Sequence, residues 1–131
     1  LFEHHFPGED GSVRERIEKV NELINKHEQE IANPLLEYIN SRDDIKLIGK
    51  NKIENKNRAP TIAFTMNNKS SKELSSDLVK KGIATRNDNF YAWRCLKALG
   101  IDVDDGVVRT SMVHYNTHED VNNLIEALKK I

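Results

Sequence analysis

Arg109 sits where a charged residue needs a reason. It stands between Val108 and Thr110 in Gly106-Val-Val-Arg-Thr-Ser-Met112. The alternation of that run predicts a strand and puts Arg109 on the face of Val107 and Ser111. A guanidinium in mid-strand either reaches the sheet's edge, pairs with an acid, or works as an anion fork, because an unpaired buried charge is expensive. The fork reading rests on parallel N–H donors that match the two oxygens of a carboxylate. Arg86 ends a neighbouring short strand, Ile83-Ala-Thr-Arg86, ahead of the polar turn Asn87-Asp-Asn89, and is expected to face the same region. Phe90, Tyr91 and Trp93 follow at once, and such a cluster either fills a core or walls a pocket.

Other chemistry is poorly supported. There is no glycine-rich phosphate loop, no cysteine pair at metal spacing and no nucleophile elbow. His114 and His118 are four apart, but they straddle a strand end and a helix start and lack a third ligand nearby, so no metal site is expected. Cys95 falls between Ala92 and Leu96 on a predicted helix and reads as a small buried hydrophobe.

The elements that must carry these residues follow from period and caps. Residues 1–11 hold Pro7, two glycines and no period, and read as a linker. Ser12-Val-Arg-Glu15 has the spacing of a capping box. Apolar Ile17, Val20, Leu23, Ile24, Ile31, Leu35 and Ile39 then share one face of a helix over 12–41, with a kink or break expected at Pro34. Such a helix is roughly 40 Å long at 1.5 Å per residue, too long for a small domain to cover, so its N-terminal half is expected to pack on another domain or chain. Residues 42–131 read as a separate small domain. Strands are expected at 45–48, 60–66, 83–86 and 106–112. Helices are expected after the capping box Ser70-Ser-Lys-Glu73, near 90–99, and after the cap Thr117-His-Glu-Asp120. Gly82 is placed to end the first of these in the left-handed conformation. The order β-β-α-β-α-β-α predicts an α+β two-layer fold: a small, mostly antiparallel sheet with helices on one face, preceded by the long helix.

Composition bounds the partners. The chain has 131 residues, with Lys and Arg totalling 20 against 21 for Asp and Glu, a net charge of −1. That balance, and the lack of an RNA-binding aromatic motif, argue against nucleic acid or an anionic membrane as partner. No apolar run approaches the ~18 residues of a spanning helix. A single cysteine leaves no disulfide framework and fits a reducing, cytoplasmic setting. The first residue is Leu1, so the chain is expected to be a fragment, a processed product or an excised domain.

Two strings carry a resemblance. Gly82-Ile-Ala-Thr-Arg-Asn-Asp-Asn-Phe-Tyr-Ala92, followed by the Arg-x-Ser-x-x-x-Tyr-Asn-Thr-x-Glu-x-Val pattern from Arg109 to Val121, resembles the C-terminal small domain of cysteine desulfurase-like, class V aminotransferases. The resemblance covers residues 60–131 well, and the 12–40 helix fits the segment linking large and small domains. These are fold-type-I enzymes that use pyridoxal 5′-phosphate (PLP). The resemblance implies that Arg109 binds the α-carboxylate of an amino-acid substrate, with Arg86, Asn89, Phe90 and Tyr91 bordering the pocket. It implies that the Schiff-base lysine and the phosphate site belong to a large domain outside this chain, so no catalytic residue and no bound PLP are expected here. It further implies a homodimer at full length. Where cysteine desulfurases have their nucleophilic cysteine this chain has Tyr91, and Cys95 comes four residues later. The alternative reading is a stand-alone ligand-sensing or dimerisation module without catalysis.

Overall fold

A computed structural model describes residues 1–54 and 58–131. The lysine- and asparagine-rich segment 50–58, between the first two expected strands, thus lies partly outside the described residues. Helix α1 (Phe2–His5) is one turn within the segment read as a linker, and its ring contacts fold it back on the next helix: the Arg16 guanidinium lies 5.2 Å from the Phe2 ring centre. Helix α2 (Val13–Asn40) starts at the expected capping box, in which the Ser12 hydroxyl accepts from the Glu15 amide and the Glu15 carboxylate accepts from the Ser12 amide. It continues through Pro34 as one helix of 28 residues, roughly 42 Å long. Of the kink or break expected at Pro34, the break does not occur. Burial begins only at Ile31, and Ile31, Ala32, Leu35, Leu36 and Ile39 line the core, whereas Val13 and Ile17 stay exposed.

Four strands follow: β1 (Ile45–Ile48), β2 (Thr61–Met66), β3 (Arg86–Asp88) and β4 (Val107–Ser111). Between them come α3 (Ser71–Lys80) and α4 (Trp93–Ala98), and α5 (His118–Lys129) closes the chain. The sheet order is β1-β2-β4-β3 with every neighbouring pair antiparallel. The two-layer α+β fold read from the sequence is therefore the observed one. The inner face of the sheet is apolar. Ile62 and Phe64 of β2 and Val108 of β4 are wholly buried against α2, Leu74 and Leu78 of α3 and Leu128 of α5. A bidentate pair from Arg42 to Asp44, at 2.6 and 2.7 Å, fastens the turn between α2 and β1.

The expected caps hold at both ends of α3. Ser70 and Glu73 form a capping box. Gly82 adopts φ +79°, while its amide donates to Val79 and that of Ile83 donates to Leu78, which is the double bond of a left-handed helix stop. Replacing Ser70 with alanine is expected to cost about 1 kcal/mol, measured as a lowered urea midpoint at constant slope. On the exposed side of α3, Asp77 accepts from Lys69 at 2.7 Å and Lys80 at 2.9 Å. These bonds hold its carboxyl down to about 2. The folded state thus binds that proton more weakly than the unfolded chain, whose carboxyl titrates near 3.9. The cluster supports the fold fully above about pH 4, and that support drains away as pH falls through about 2. A side-chain carbon NMR titration should find the Asp77 midpoint near 2; a midpoint near 4 would show the lysines to be idle in solution.

One strand differs from its expected place. Ile83-Ala-Thr was read as strand, yet β3 begins at Arg86. The Ile83 amide is spent on Leu78, and the Thr85 hydroxyl lies 2.9 Å from that of Ser75, so these residues are tied to α3 rather than paired in the sheet. The turn expected at Asn87–Asn89 starts later, because Asn87 and Asp88 pair with Val108 and Val107.

Candidate functional site

Alternation along β4 turns Val108 and Thr110 inward and Arg109 outward, to the face away from α2, α3 and α5. Its cross-strand neighbours are Ala63 on β2 and Arg86 on β3. Ala63 is small and leaves room beside the guanidinium. Arg86 brings a second positive charge to the same face, and like charges directly opposite repel. Among the described residues, no carboxylate lies within ion-pair distance of either guanidinium. What holds Arg109 is an aromatic ring: its guanidinium carbon sits 4.1 Å from the centre of Phe90. A stacked guanidinium keeps its N–H edge free for an in-plane partner.

Phe90 reaches that position through a strained turn. Phe90 and Tyr91 take φ of +50° and +60°, the left-handed region that side chains with a Cβ rarely occupy. Strain of this kind persists only where neighbours impose it. Here Asn89 imposes it. Its side-chain oxygen accepts from the Tyr91 amide at 3.0 Å, its carbonyl accepts from Ala92 at 2.8 Å, and its amide group donates to the Val103 carbonyl at 3.2 Å. The Val103 segment is anchored in turn by Asp105, whose carboxylate takes the Ser71 amide at the start of α3. Gly106 closes the circuit with φ +75°: a Cβ there would sit 2.3 Å from the Asp88 carbonyl carbon. The turn is therefore clamped from both sides, and Asn89 acts by shaping it.

The structure brings Arg109, Arg86 and Phe90 together on one face. Tyr91 projects beside them with 98 % of its surface exposed, and Trp93 is 54 % exposed, so the aromatic cluster is open rather than a core. Cys95, expected to be buried, is exposed; α4 has six residues and buries only Leu96. His114 and His118 do not converge: His114 stacks edge-on with Tyr115, and His118 with His27. Among the described residues no three metal-ligating side chains gather. A hydroxyl pair went unread in the sequence. Thr61 donates to Ser111 at 3.3 Å, one alternation beyond Arg109 on the same face. Its only signal is the β2–β4 register, which no local pattern specifies.

A sequence model of the class-V aminotransferases matches residues 15–124, both Arg109 and Arg86 included. The chain belongs to the class-V aminotransferase family. It is 36% identical over 112 residues to an aminotransferase-like protein of Gibberella zeae, covering 84% of this chain and 28% of that one. A cysteine desulfurase of Escherichia coli is 29% identical over 108 residues, covering 82% of this chain and 25% of the relative. Among solved structures, the apo cysteine desulfurase of Thermococcus onnurineus superposes with a TM-score of 0.75 at 21% identity, over 89% of this chain and 28% of that one, a likeness of fold. The chain thus spans about a quarter of the length of the relatives it matches.

Membership of the class-V family implies PLP in full-length members. A lysine that bonds a cofactor aldehyde is shielded from water so that its amine is neutral. Every described lysine is exposed except Lys69, which is half-buried and ion-paired with Asp77. Among the described residues, no helix is long and apolar enough to cross a membrane.

Proposed function

We propose that this chain is the C-terminal small domain of a PLP-dependent enzyme acting on amino acids, with Arg109 binding the substrate's α-carboxylate. The observation that carries this reading is a guanidinium that has no acid partner among the described residues, laid against Phe90 on the outer face of the sheet. PLP supplies the electron sink that weakens bonds to the α-carbon. This chain supplies grip and aim. The Arg109 fork takes both carboxylate oxygens, which fixes the direction in which the α-carbon and its amine point. Phe90 orients the fork, and Asn89 holds Phe90 through the turn. Tyr91 borders the mouth of the pocket. The opposite wall, with the lysine and the phosphate site, belongs to a large domain, and the complete enzyme is a homodimer that works in the cytoplasm.

The reading makes a testable statement about the 131-residue chain alone. A charge-assisted pair contributes about 1.5–3 kcal/mol net. Millimolar affinity already requires about 4.1 kcal/mol. Half a site should thus bind amino acids more weakly than millimolar, and calorimetry of the chain with a panel of amino acids should show no saturation in the low millimolar range. Micromolar, saturable binding would replace this reading with that of a stand-alone ligand sensor.

A further inference from the structure

The loop Asp102-Val-Asp-Asp-Gly106, between α4 and β4, is tied to itself before it is tied to anything else. The Gly106 amide donates to the Asp102 carbonyl and the Asp104 amide to the Asp102 carboxylate, both at 2.9 Å. The five residues therefore move as one piece, and that piece has two hooks. One is the Val103 carbonyl, which takes the Asn89 side-chain amide at 3.2 Å. The other is Asp105. Its half-buried carboxylate takes the Ser71 amide at 2.9 and 3.1 Å, and its carbonyl takes the Ser71 hydroxyl. The capping box of α3 satisfies the Ser70 and Glu73 amides and leaves that of Ser71, at the positive end of the helix, for an outside acceptor. The Ser71 hydroxyl also accepts from the Asn87 side chain at 3.3 Å, in the strand that leads into the Phe90 turn. Ser71 is itself buried, and Leu74 and Leu78 beyond it are wholly buried in the core.

A chain of contacts thus runs from the core to the guanidinium: α3, Ser71, Asp105, Val103, Asn89, Phe90, Arg109. Its weakest part is the turn, where Phe90 and Tyr91 hold positive φ only while their surroundings impose it. The Asn89 bonds to Asp88, Tyr91 and Ala92 stay within the turn and travel with it. Among the described residues, its bond to Val103 is the one that reaches another segment. Resting on the proposed role of Arg109, we propose that Asp105 is a positioning residue of the α-carboxylate site: it fastens loop 102–106 to α3, so that Phe90 holds the Arg109 fork in one orientation. Asp105 touches no substrate. Released from Ser71, the ring and the fork gain freedom that binding must then take away, and the loss falls on affinity for the carboxylate. All these contacts lie inside this chain.

The test has two arms. In the 131-residue chain, proton NMR follows the Arg109 Nε–H, which the face of Phe90 should shift upfield; Phe90→Leu marks its unshielded position. Asp105→Ala should move that proton most of the way to the mark. Asp105→Asn, whose amide oxygen can still take the Ser71 amide, should move it little, and Ser71→Ala, which keeps the amide–carboxylate bonds, should fall between. Ser70→Ala is the control: it weakens the same end of α3 by removing the cap, lies off the route, and should leave the proton where it is. In the full-length protein that carries this chain, loaded with PLP, Asp105→Ala should raise KM for the amino-acid substrate about three- to tenfold and change kcat less than about twofold, with Asp105→Asn restoring most of the loss and Ser70→Ala changing neither. If Asp105→Ala does not fold, Ser71→Ala decides in both arms. A proton that Asp105→Ala and Ser71→Ala leave in place, or a KM that rises as much in Ser70→Ala as in Asp105→Ala, overturns the positioning role and leaves the Arg109 reading standing. A proton that moves as expected while neither Asp105→Ala nor Arg109→Ala alters KM overturns the Arg109 reading, and the role of Asp105 at that site with it.

Discussion

Replacing Arg109 with alanine in the full-length enzyme raises KM for the amino-acid substrate about ten- to a hundredfold. The size follows from the net worth of a charge-assisted bidentate pair, about 1.5–3 kcal/mol, at 1.4 kcal/mol per decade. The rise should appear in KM more than in kcat, because the carboxylate is gripped alike before and during bond breaking. Stability should be nearly unchanged. The substitution removes no ion pair and leaves the inner face of β4 intact, and loss of the stack on Phe90, about 0.5–1 kcal/mol, is offset by relief of the repulsion with Arg86, about 0.2–1 kcal/mol across a strand pair. Arg109→Lys should recover little, since an ammonium lacks the planar fork and stacks less well on Phe90. Steady-state kinetics with thermal melts on the same samples separates the outcomes. An unaltered KM removes Arg109 from the site, and a collapsed melt makes it structural.

The second large effect is expected at Gly106. Its φ of +75° alone costs an L side chain about 1–2 kcal/mol. The added Cβ would also stand 2.3 Å from the Asp88 carbonyl carbon and 2.7 Å from the Asn89 amide nitrogen, both backbone atoms that cannot swing aside. Gly106→Ala should therefore lose at least about 2 kcal/mol in urea unfolding. Gly100→Ala is the matched comparison. It has φ +69° and nothing within 4 Å of its Cβ position, so it incurs the conformational cost without the clash. Because Asn89 holds the Phe90 turn, Gly106→Ala should also loosen the ring behind Arg109 and raise KM, whereas Gly100→Ala should not. Equal losses for the two variants would show that the contact between Gly106 and the β3 end is slack.

Much of this was legible because it is local. Two capping boxes, the Thr117 cap of α5 and Gly82 as the stop of α3 each need only a few consecutive residues, and all stand as read. That Arg109 shares a face with Val107 and Ser111 followed from the alternation of β4, whereas which face is the outer one is set by the packing of α2, α3 and α5. What failed was decided by contacts remote in sequence or by competition at an element's end. Ile83 has the composition of a strand residue, but its amide is claimed by Leu78, and the strand slips to Arg86. Pro34 does not break α2, because Ile31, Leu35, Leu36 and Ile39 on either side of it are all wholly buried in the same core. Cys95 sits in a helix too short to own a buried face. Asn89 was legible as a turn residue, but its grip on Val103 was not, since 14 residues separate the partners. The facing of Arg86 and Arg109 depends on the β3–β4 register, which the slip of β3 sets.

The uneven burial of α2 has a consequence for its backbone. From Ile31 to Ile39 every turn is pinned by core side chains, whereas from Val13 to Ile24 no side chain is fully buried and the helix rests on its Ser12 cap, the Arg14–Glu18 pair and surface contacts with residues 2–11, among them Lys19 with Glu9 and Arg16 with Glu3. Isolated helical turns are marginal in water without such packing. One continuous rod should thus contain two exchange regimes: amide deuteration within the opening three turns at near-peptide rates, and protection approaching that of global unfolding over the closing three, with the gradient falling between His27 and Ile31.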